Sequence, residues 1–222
     1  VNTAVQWEFS GTTHQLNRLN QGFGRVDVDN LYEKRMVTVW RDRVPVDNLE
    51  TVSVPVVVSS GEPELKVTMV YRDPPAVPGT TMHRINDLSL RVVDPLGTVY
   101  HGNFGLLSGN ESLPGGEPNE LDVVENVWVS DPVAGSWTVE VTGVDVNTDL
   151  DPGRPGNNAD YSLWVTGGAD GGCRSVPSSY CTAGTTGNGC QAQVSAMGLA
   201  SLSSPSGFDV TVSGVEGNKL GI

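Results

Sequence analysis

Four oxygen-bearing side chains recur at every second position in the second half of the chain. They are Asp145, Asn147, Asp149 and Asp151. In an extended segment alternate side chains project to the same side, so this spacing would bring the four together. Carboxylate and amide oxygens are the ligands that Ca²⁺ prefers in proteins. The spacing therefore predicts one candidate calcium site.

This loop is not an EF-hand, and a plainer interpretation competes with calcium binding. Leu150 stands where an EF-hand requires Gly, and Gly156 stands where it requires the bidentate Glu. The segment from Val92 to Gly153 contains eleven acidic residues and no Lys or Arg, within a chain of net charge -13. Such a block repels phosphate backbones and argues against nucleic acid as a partner. A solvated acidic surface and calcium binding both remain open.

Catalysis by a serine nucleophile requires a Ser in a sharp turn, a His to take its proton and a carboxylate to orient that His. The chain has three His, which are His14, His83 and His101. None of them lies in a sequence context typical of such a triad, so we interpret each as a surface or hydrogen-bonded residue. The acidic block also shows no pairing of carboxylates that would indicate glycoside hydrolysis.

Three cysteines lie close together in the last fifty residues, at Cys173, Cys181 and Cys190. Their spacings of seven and eight intervening residues do not fit a zinc site, and no His follows them. In a secreted protein the pattern predicts one disulfide and one remaining thiol.

Tryptophans raise the alternative of a carbohydrate-binding or adhesion module, because their rings can stack on sugars. Trp137 is in phase with Val139 and Val141, which predicts that it belongs to the core. Trp164 is in phase with Ser162 and Thr166 and is the best candidate for an exposed ring, and Trp128 is a third candidate.

The elements that would position these residues are mostly strands. The chain contains 27 Gly and 14 Pro, which is typical of short strands joined by tight turns. Apolar residues alternate with others from Leu65 to Tyr71 and from Trp137 to Val141, and about eight such runs predict a two-sheet jelly roll. A short helix is predicted from Asp27 to Glu33, with Asp27 as its N-cap.

Composition divides the chain into three predicted regions. Residues 1–34 are too few to fold alone, residues 35–168 form the β-sandwich, and residues 169–222 hold a Gly-rich linker and a partial Cys-containing β module. The chain begins with Val1, contains no secretory leader and no apolar run long enough to span a membrane, and ends without a closing signal. We therefore expect a piece of a longer protein, with no membrane partner.

Several motifs, in a fixed order, resemble the end of a subtilisin-like serine protease. Residues 20–29 (NQGFGRVDVD) resemble the closing turn and last helix of the catalytic domain, a short remnant of its α/β fold. Residues 65–73, 86–90, 94–98, 124–127 and 135–141 resemble the galactose-binding-like jelly roll that follows this domain in oxidatively stable alkaline subtilases. The same pattern is similar to the accessory β-domain of proprotein convertases.

The resemblance implies a non-catalytic C-terminal region of a secreted endopeptidase. Its partners would be the missing N-terminal catalytic domain of the same polypeptide and the protein substrates of the parent. The chain lacks the Gly-Thr-Ser-Met nucleophile turn and the His-Gly-Thr motif of subtilases, so we expect it to be inactive alone. The resemblance also implies a second candidate calcium site, formed by Asp73, Asp87, Glu125 and Asn126. Ser89 replaces an acidic residue that relatives often carry, and this removes one possible ligand.

Overall fold

A computed structural model describes residues 1–5, 22–107, 109–150 and 152–171, and in the last part of the chain 185, 189, 191, 193–198 and 208–213. Its one α-helix among these residues, α1, spans Val28–Glu33 and confirms the predicted short helix. Asp27 is the N-cap, and its Oδ1 accepts a hydrogen bond of 2.9 Å from the Asn30 N–H. A 3₁₀ turn at Lys34–Val37 leads from α1 into the first strand.

Strands make up 46% of the described chain. They are β1 (Thr38–Asp47), β2 (Thr51–Val58), β3 (Glu64–Tyr71), β4 (Asp87–Val93), β5 (Val99–His101), β6 (Val124–Ser130), β7 (Gly135–Asp145), β8 (Asn158–Thr166), β9 (Ala169–Asp170), β10 (Gln193–Gly198) and β11 (Phe208–Ser213). No described helix has the length and apolar character that crossing a membrane would require.

The first eight strands pair in a nested order that defines a jelly roll. β1 pairs with β8, β2 with β7, β3 with β6 and β4 with β5, all antiparallel. Further pairing of β3 with β8 and of β4 with β7 completes two sheets, ordered β1-β8-β3-β6 and β5-β4-β7-β2-β9. The prediction of an all-β jelly-roll sandwich is confirmed.

The core lies between the two sheets and follows the alternation seen in the sequence. Leu65, Val67 and Met69 of β3 are fully buried, as are Val139 and Val141 of β7. Trp137 is 1% exposed, and its indole N–H donates to the Val133 carbonyl at 2.8 Å. The prediction that Trp137 belongs to the core is therefore confirmed.

Thr68 of β3 departs from simple alternation because the N-terminal segment covers it. Thr68 lies on the outer face of β3, yet it is only 7% exposed. Asn2 packs over it and donates through its side-chain amide to the Lys66 and Trp164 carbonyls at 2.9 and 3.0 Å. Its Oδ1 accepts from the Thr166 hydroxyl at 2.8 Å, so the segment is tied to both β3 and β8.

The chain divides into two compact units, Val1–Gly171 and Gly172–Ile222. The second unit contains the antiparallel pair of β10 and β11, in agreement with the β structure predicted for the last part of the chain. The predicted region boundaries after residues 34 and 168 stay predictions. Cys173, Cys181 and Cys190 lie outside the described residues, as does His14.

Candidate functional site

The two candidate calcium groups meet at one end of a sheet. Asp87 opens β4, and its register partner is Asp145, the last residue of β7, with a register shift between Asp87 and Leu88. The Asp145 carboxylate is exposed and accepts from the Asn147 side-chain amide at 2.9 Å. The same amide donates to the Ile85 carbonyl at 3.2 Å. Loop 145–149 therefore contacts the segment that leads into β4.

Asp87 is a buried carboxyl group with one ion-pair partner among the described residues, Arg84. It is 5% exposed, and its Oδ1 lies 3.3 Å from the Arg84 guanidinium. Burial raises the pKa of Asp87, Arg84 opposes that rise, and the carboxylates of Glu120 and Asp145 add to it. Oδ1 makes no hydrogen bond of good geometry with any described residue, so the contact with Arg84 is electrostatic.

Glu125 of β6 is the most deeply buried acid of the described chain, with no exposed surface. Its Oε2 accepts a hydrogen bond of 2.9 Å from the Leu90 N–H of β4, so it links the two sheets. Its Oε1 has no hydrogen-bond partner among the described residues. Gly102 makes room for this carboxyl, because a Cβ at that position would collide with Oε2.

Burial dominates the electrostatics of Glu125. Desolvation raises its pKa to about 9, the Leu90 N–H opposes the rise, and the negative charges of Asp87 and Asp122 add to it. The charge of Asp87 thus disfavours the ionisation of Glu125, and Arg84 is the cation that acts on both carboxyl groups. A divalent cation beside them would favour the ionised form of both.

The other two residues of the second candidate calcium site, Asp73 and Asn126, make different contacts. Both carboxylate oxygens of Asp73 accept from backbone N–H groups, those of Ile85 and Asn86, at 2.8 Å each. Asn126 projects to the face of β6 opposite Glu125, because neighbouring strand residues alternate. Its Oδ1 accepts from the Thr68 hydroxyl at 2.7 Å. The structure therefore associates Asp87 with Glu125 and separates Asn126 from both.

Within the described ranges, no three or more His, Cys, Asp or Glu side chains form a group that could hold a metal ion. Asp149 is half-buried, and Asp151 lies outside the described residues. Sequence reasoning missed Arg84 and Asp122, which both act on the Glu125 carboxyl. The signal for Arg84 was its position three residues before Asp87. Calcium binding stays a prediction.

We predict that millimolar calcium raises the melting temperature, since a cation that binds only the folded state stabilises it by ~2.7 kcal/mol at a hundredfold excess over its dissociation constant. Asp87 and Asp145 are register partners, so neither can discriminate between the two groups. Glu125→Gln tests the group that contains Asp87 and Glu125, and Asp149→Asn tests the loop that contains Asp145 and Asp149. The calcium-dependent shift should disappear in only one variant. Identical melting curves in calcium and in chelator would contradict both sites.

α1 divides the surface beside it into two different faces. Its apolar side carries Val28, Leu31 and Tyr32, which are 68%, 43% and 64% exposed. Together with Arg35 they line a hollow of about 470 Å³, whose other wall includes Trp40 and Trp164. We call this the apolar hollow. The opposite side of α1 carries Asp27, Asp29, Asn30 and Glu33, which line a separate cleft.

The two tryptophans of the apolar hollow are register partners, Trp40 on β1 and Trp164 on β8. Trp164 is 36% exposed, which confirms the predicted exposed ring. Trp40 is 58% exposed and was missed in the sequence. Trp128 is 3% exposed and is therefore not available as a platform for sugars.

Two histidines, His83 and His101, lie among the described residues. His83 is exposed, and His101 of β5 is half-buried opposite Arg91 of β4. Burial lowers the pKa of His101, the Arg91 charge lowers it further, and Glu117 opposes both.

Comparisons with known proteins give no family for this chain. No family model matches it, and no curated protein matches it. Among solved structures, Bacillus licheniformis lipase BlEst2 in propeptide form matches 61% of the chain at 12% identity and a TM-score of 0.32. The chain covers 22% of that lipase's length.

Two other solved structures match at similar levels. The Clostridium perfringens CspB protease matches 60% of the chain, at 14% identity and a TM-score of 0.32. The match covers 26% of the protease's length. Aeromonas hydrophila PliG, a periplasmic inhibitor of g-type lysozyme, matches 58% of the chain over 84% of PliG's own length, at 14% identity and a TM-score of 0.32. Likeness at this level carries no functional argument. The all-β fold stands on the strand pairing of the chain itself.

Proposed function

We propose that this chain is the non-catalytic C-terminal region of a secreted subtilisin-like serine endopeptidase, where it packs against the catalytic domain and stabilises it. The ordered motifs that resemble that family support the proposal. The observation that carries it is the apolar hollow, because it combines a helix without any buried residue with two exposed tryptophan rings.

The physical argument starts from α1. A helix of six residues is marginal in water by itself, and most helical stability in proteins comes from tertiary packing of one face. The apolar face of α1 nevertheless leaves Val28, Leu31 and Tyr32 mostly exposed. A contiguous apolar surface of this kind is typical of an interaction site. A catalytic domain that covered this face would bury it and would gain stability from the shared surface.

The test uses the parent polypeptide, obtained from the reading frame upstream of Val1. We expect Leu31→Ser combined with Trp40→Ser to shorten the half-life of peptidase activity at elevated temperature, because the interface loses apolar contacts. Leu96→Ser with Leu121→Ser is the matched control, since these residues are 77% and 71% exposed outside the hollow. Equal half-lives of the two double variants, or an upstream frame without a Ser-His-Asp triad, would contradict the proposal.

A carbohydrate-binding or adhesion module is the second candidate, and the exposed pair of Trp40 and Trp164 favours it. Both side chains are exposed on adjacent strands, which suits stacking on sugar rings. Glycan binding by the isolated chain that is lost in Trp40→Ala and retained in Leu31→Ser would favour this candidate over the first.

A further inference from the structure

Arg84 brings positive charge to the buried carboxyl groups at the start of β4. Its guanidinium lies 3.3 Å from the Asp87 Oδ1, and its side chain is 13% exposed. Its Nε–H donates to the Glu120 carbonyl in the segment between β5 and β6. Burial raises the pKa of Asp87 and that of Glu125, and the Arg84 charge opposes both rises. One cation of the chain itself therefore acts on both carboxyl groups.

The residues beside Arg84 offer few of the oxygen ligands that a calcium ion needs, which are about six to eight in proteins. Both Asp73 oxygens accept from backbone N–H groups. The Asn126 oxygen accepts from the Thr68 hydroxyl, on the face of β6 that points away from Glu125. Of the four residues of this candidate site, only Asp87 and Glu125 keep a carboxylate oxygen that accepts no hydrogen bond from a described residue.

The segment that leads into β4 is also engaged in contacts within the chain. The Asn86 carbonyl accepts from the Tyr71 hydroxyl at 3.1 Å. The Asn86 side-chain oxygen accepts from the Thr148 N–H at 2.9 Å, and its amide donates to the Thr148 carbonyl at 2.9 Å. These oxygens already face hydrogen-bond donors, so a cation could use them only if it displaced those donors.

The charge of Arg84 meets the need that a metal ion would otherwise meet. An ionised carboxylate that leaves water needs a positive partner, because the protein interior screens its charge poorly. A guanidinium stays protonated throughout the pH range in which proteins fold, and it carries several N–H donors. The guanidinium of Arg84 already lies beside the Asp87 carboxylate, so it repels a second cation that approaches the same place.

We propose that Arg84 takes the place of a metal ion at this end of the sandwich. Its guanidinium supplies the positive charge beside Asp87 and Glu125 from within the chain, and it holds the segment before β4 in place without calcium. Calcium that stabilises the folded chain then binds elsewhere, and the loop that contains Asp145 and Asp149 is the remaining candidate. The proposal does not depend on a catalytic domain, so it can fail or succeed independently of the proposed function.

The experiment compares melting curves of the full chain and its variants in millimolar calcium and in chelator. Arg84→Ala leaves Asp87 and Glu125 without their cation and opens a path to solvent, since the Arg84 side chain reaches the surface. In chelator we expect its melting temperature to fall by about 10 °C, because one partner of a buried ion pair is gone. Calcium should recover at least about half of that loss. Arg91→Ala is the matched control, because it removes an arginine of β4 whose ion pair with Glu140 lies nearer the surface, and it should lose little.

Equilibrium dialysis with radioactive calcium measures how many ions each variant binds. Arg84→Ala should bind an additional calcium ion compared with the wild type, because the two carboxyl groups are then open to a cation. Arg84→Lys keeps a positive charge and should bind no more calcium than the wild type. Adding Glu125→Gln to Arg84→Ala should abolish the additional binding. These measurements distinguish a cation position that Arg84 fills from a simple loss of stability.

A last comparison leaves Arg84 unchanged, so it remains decisive even if Arg84→Ala does not fold. The wild type and Glu125→Gln should show the same calcium-dependent shift in melting temperature, whatever its size. Disappearance of that shift in Glu125→Gln would mean that calcium binds at Glu125 in the wild type, and it would overturn the proposal. A folded Arg84→Ala variant that is as stable as Arg91→Ala, or that binds no additional calcium, would overturn it as well.

Discussion

Replacement of Glu125 by Gln is expected to remove most of the loss of stability that the wild-type chain suffers at alkaline pH. Burial raises the pKa of Glu125 from 4.5 to about 9, so the folded state holds a proton across that range while the unfolded state releases it. Stability therefore falls as pH rises from about 4.5 to about 9. A shift of this size corresponds to several kcal/mol. Gln cannot ionise, and its oxygen can still accept from the Leu90 N–H.

Urea unfolding of both proteins at pH 5 and pH 9, without calcium, measures this difference. Glu50→Gln is the control, because Glu50 is an exposed glutamate and its replacement should leave the pH dependence of the wild type unchanged. Parallel stability curves for wild type and Glu125→Gln would show that Glu125 ionises freely in the folded chain. Added calcium should reduce the alkaline loss in the wild type alone if the cation binds at Glu125.

Asn2→Ala is expected to destabilise the sandwich by about 2 to 4 kcal/mol, because several buried polar groups lose their partner at once. The Asn2 amide donates to the Lys66 and Trp164 carbonyls, and its oxygen accepts from Thr166. These contacts join the N-terminal segment to β3 and β8.

Thermal unfolding with calorimetry measures the first effect. Val1→Ala is the control at the neighbouring position, where the side chain is 53% exposed and should contribute little. A melting temperature of Asn2→Ala equal to that of Val1→Ala would mean that the N-terminal segment adds nothing to the stability of the sheet.

Much of the fold could be predicted from the sequence because strand periodicity is local. Leu65, Val67 and Met69 lie on one face of β3, as their alternation predicts. Trp137 alternates in phase with Val139 and is buried, whereas Trp164 is exposed. The helix cap at Asp27 could also be predicted, because capping is a local contact between residues three positions apart. Local rules of this kind need no knowledge of distant segments.

The candidate site depended on contacts that local rules do not contain. The pairing of Asp87 with Asp145 is a matter of register between β4 and β7, and no pattern within either strand specifies it. Burial of Thr68 depends on Asn2, which lies far away in the chain. Trp40 was missed because a register shift between Arg41 and Val44 breaks the alternation of β1 immediately after it. The placement of Glu125 and Asn126 on opposite faces of β6 could be predicted from the sequence, because adjacent residues of a strand face opposite sides.

The nested pairing of the strands has a kinetic consequence. β4 and β5 can pair as soon as both have been synthesised, whereas β1 needs β8, so Thr38 meets Thr166 only when nearly the whole sandwich has left the ribosome. Contacts between such distant segments carry a loop-closure cost before they contribute stability, which places folding of all-β domains in the range of milliseconds to seconds. During that delay the apolar strands β2 and β3 have unpaired edges. Aggregation of the nascent chain should therefore compete with folding until residue 166 emerges.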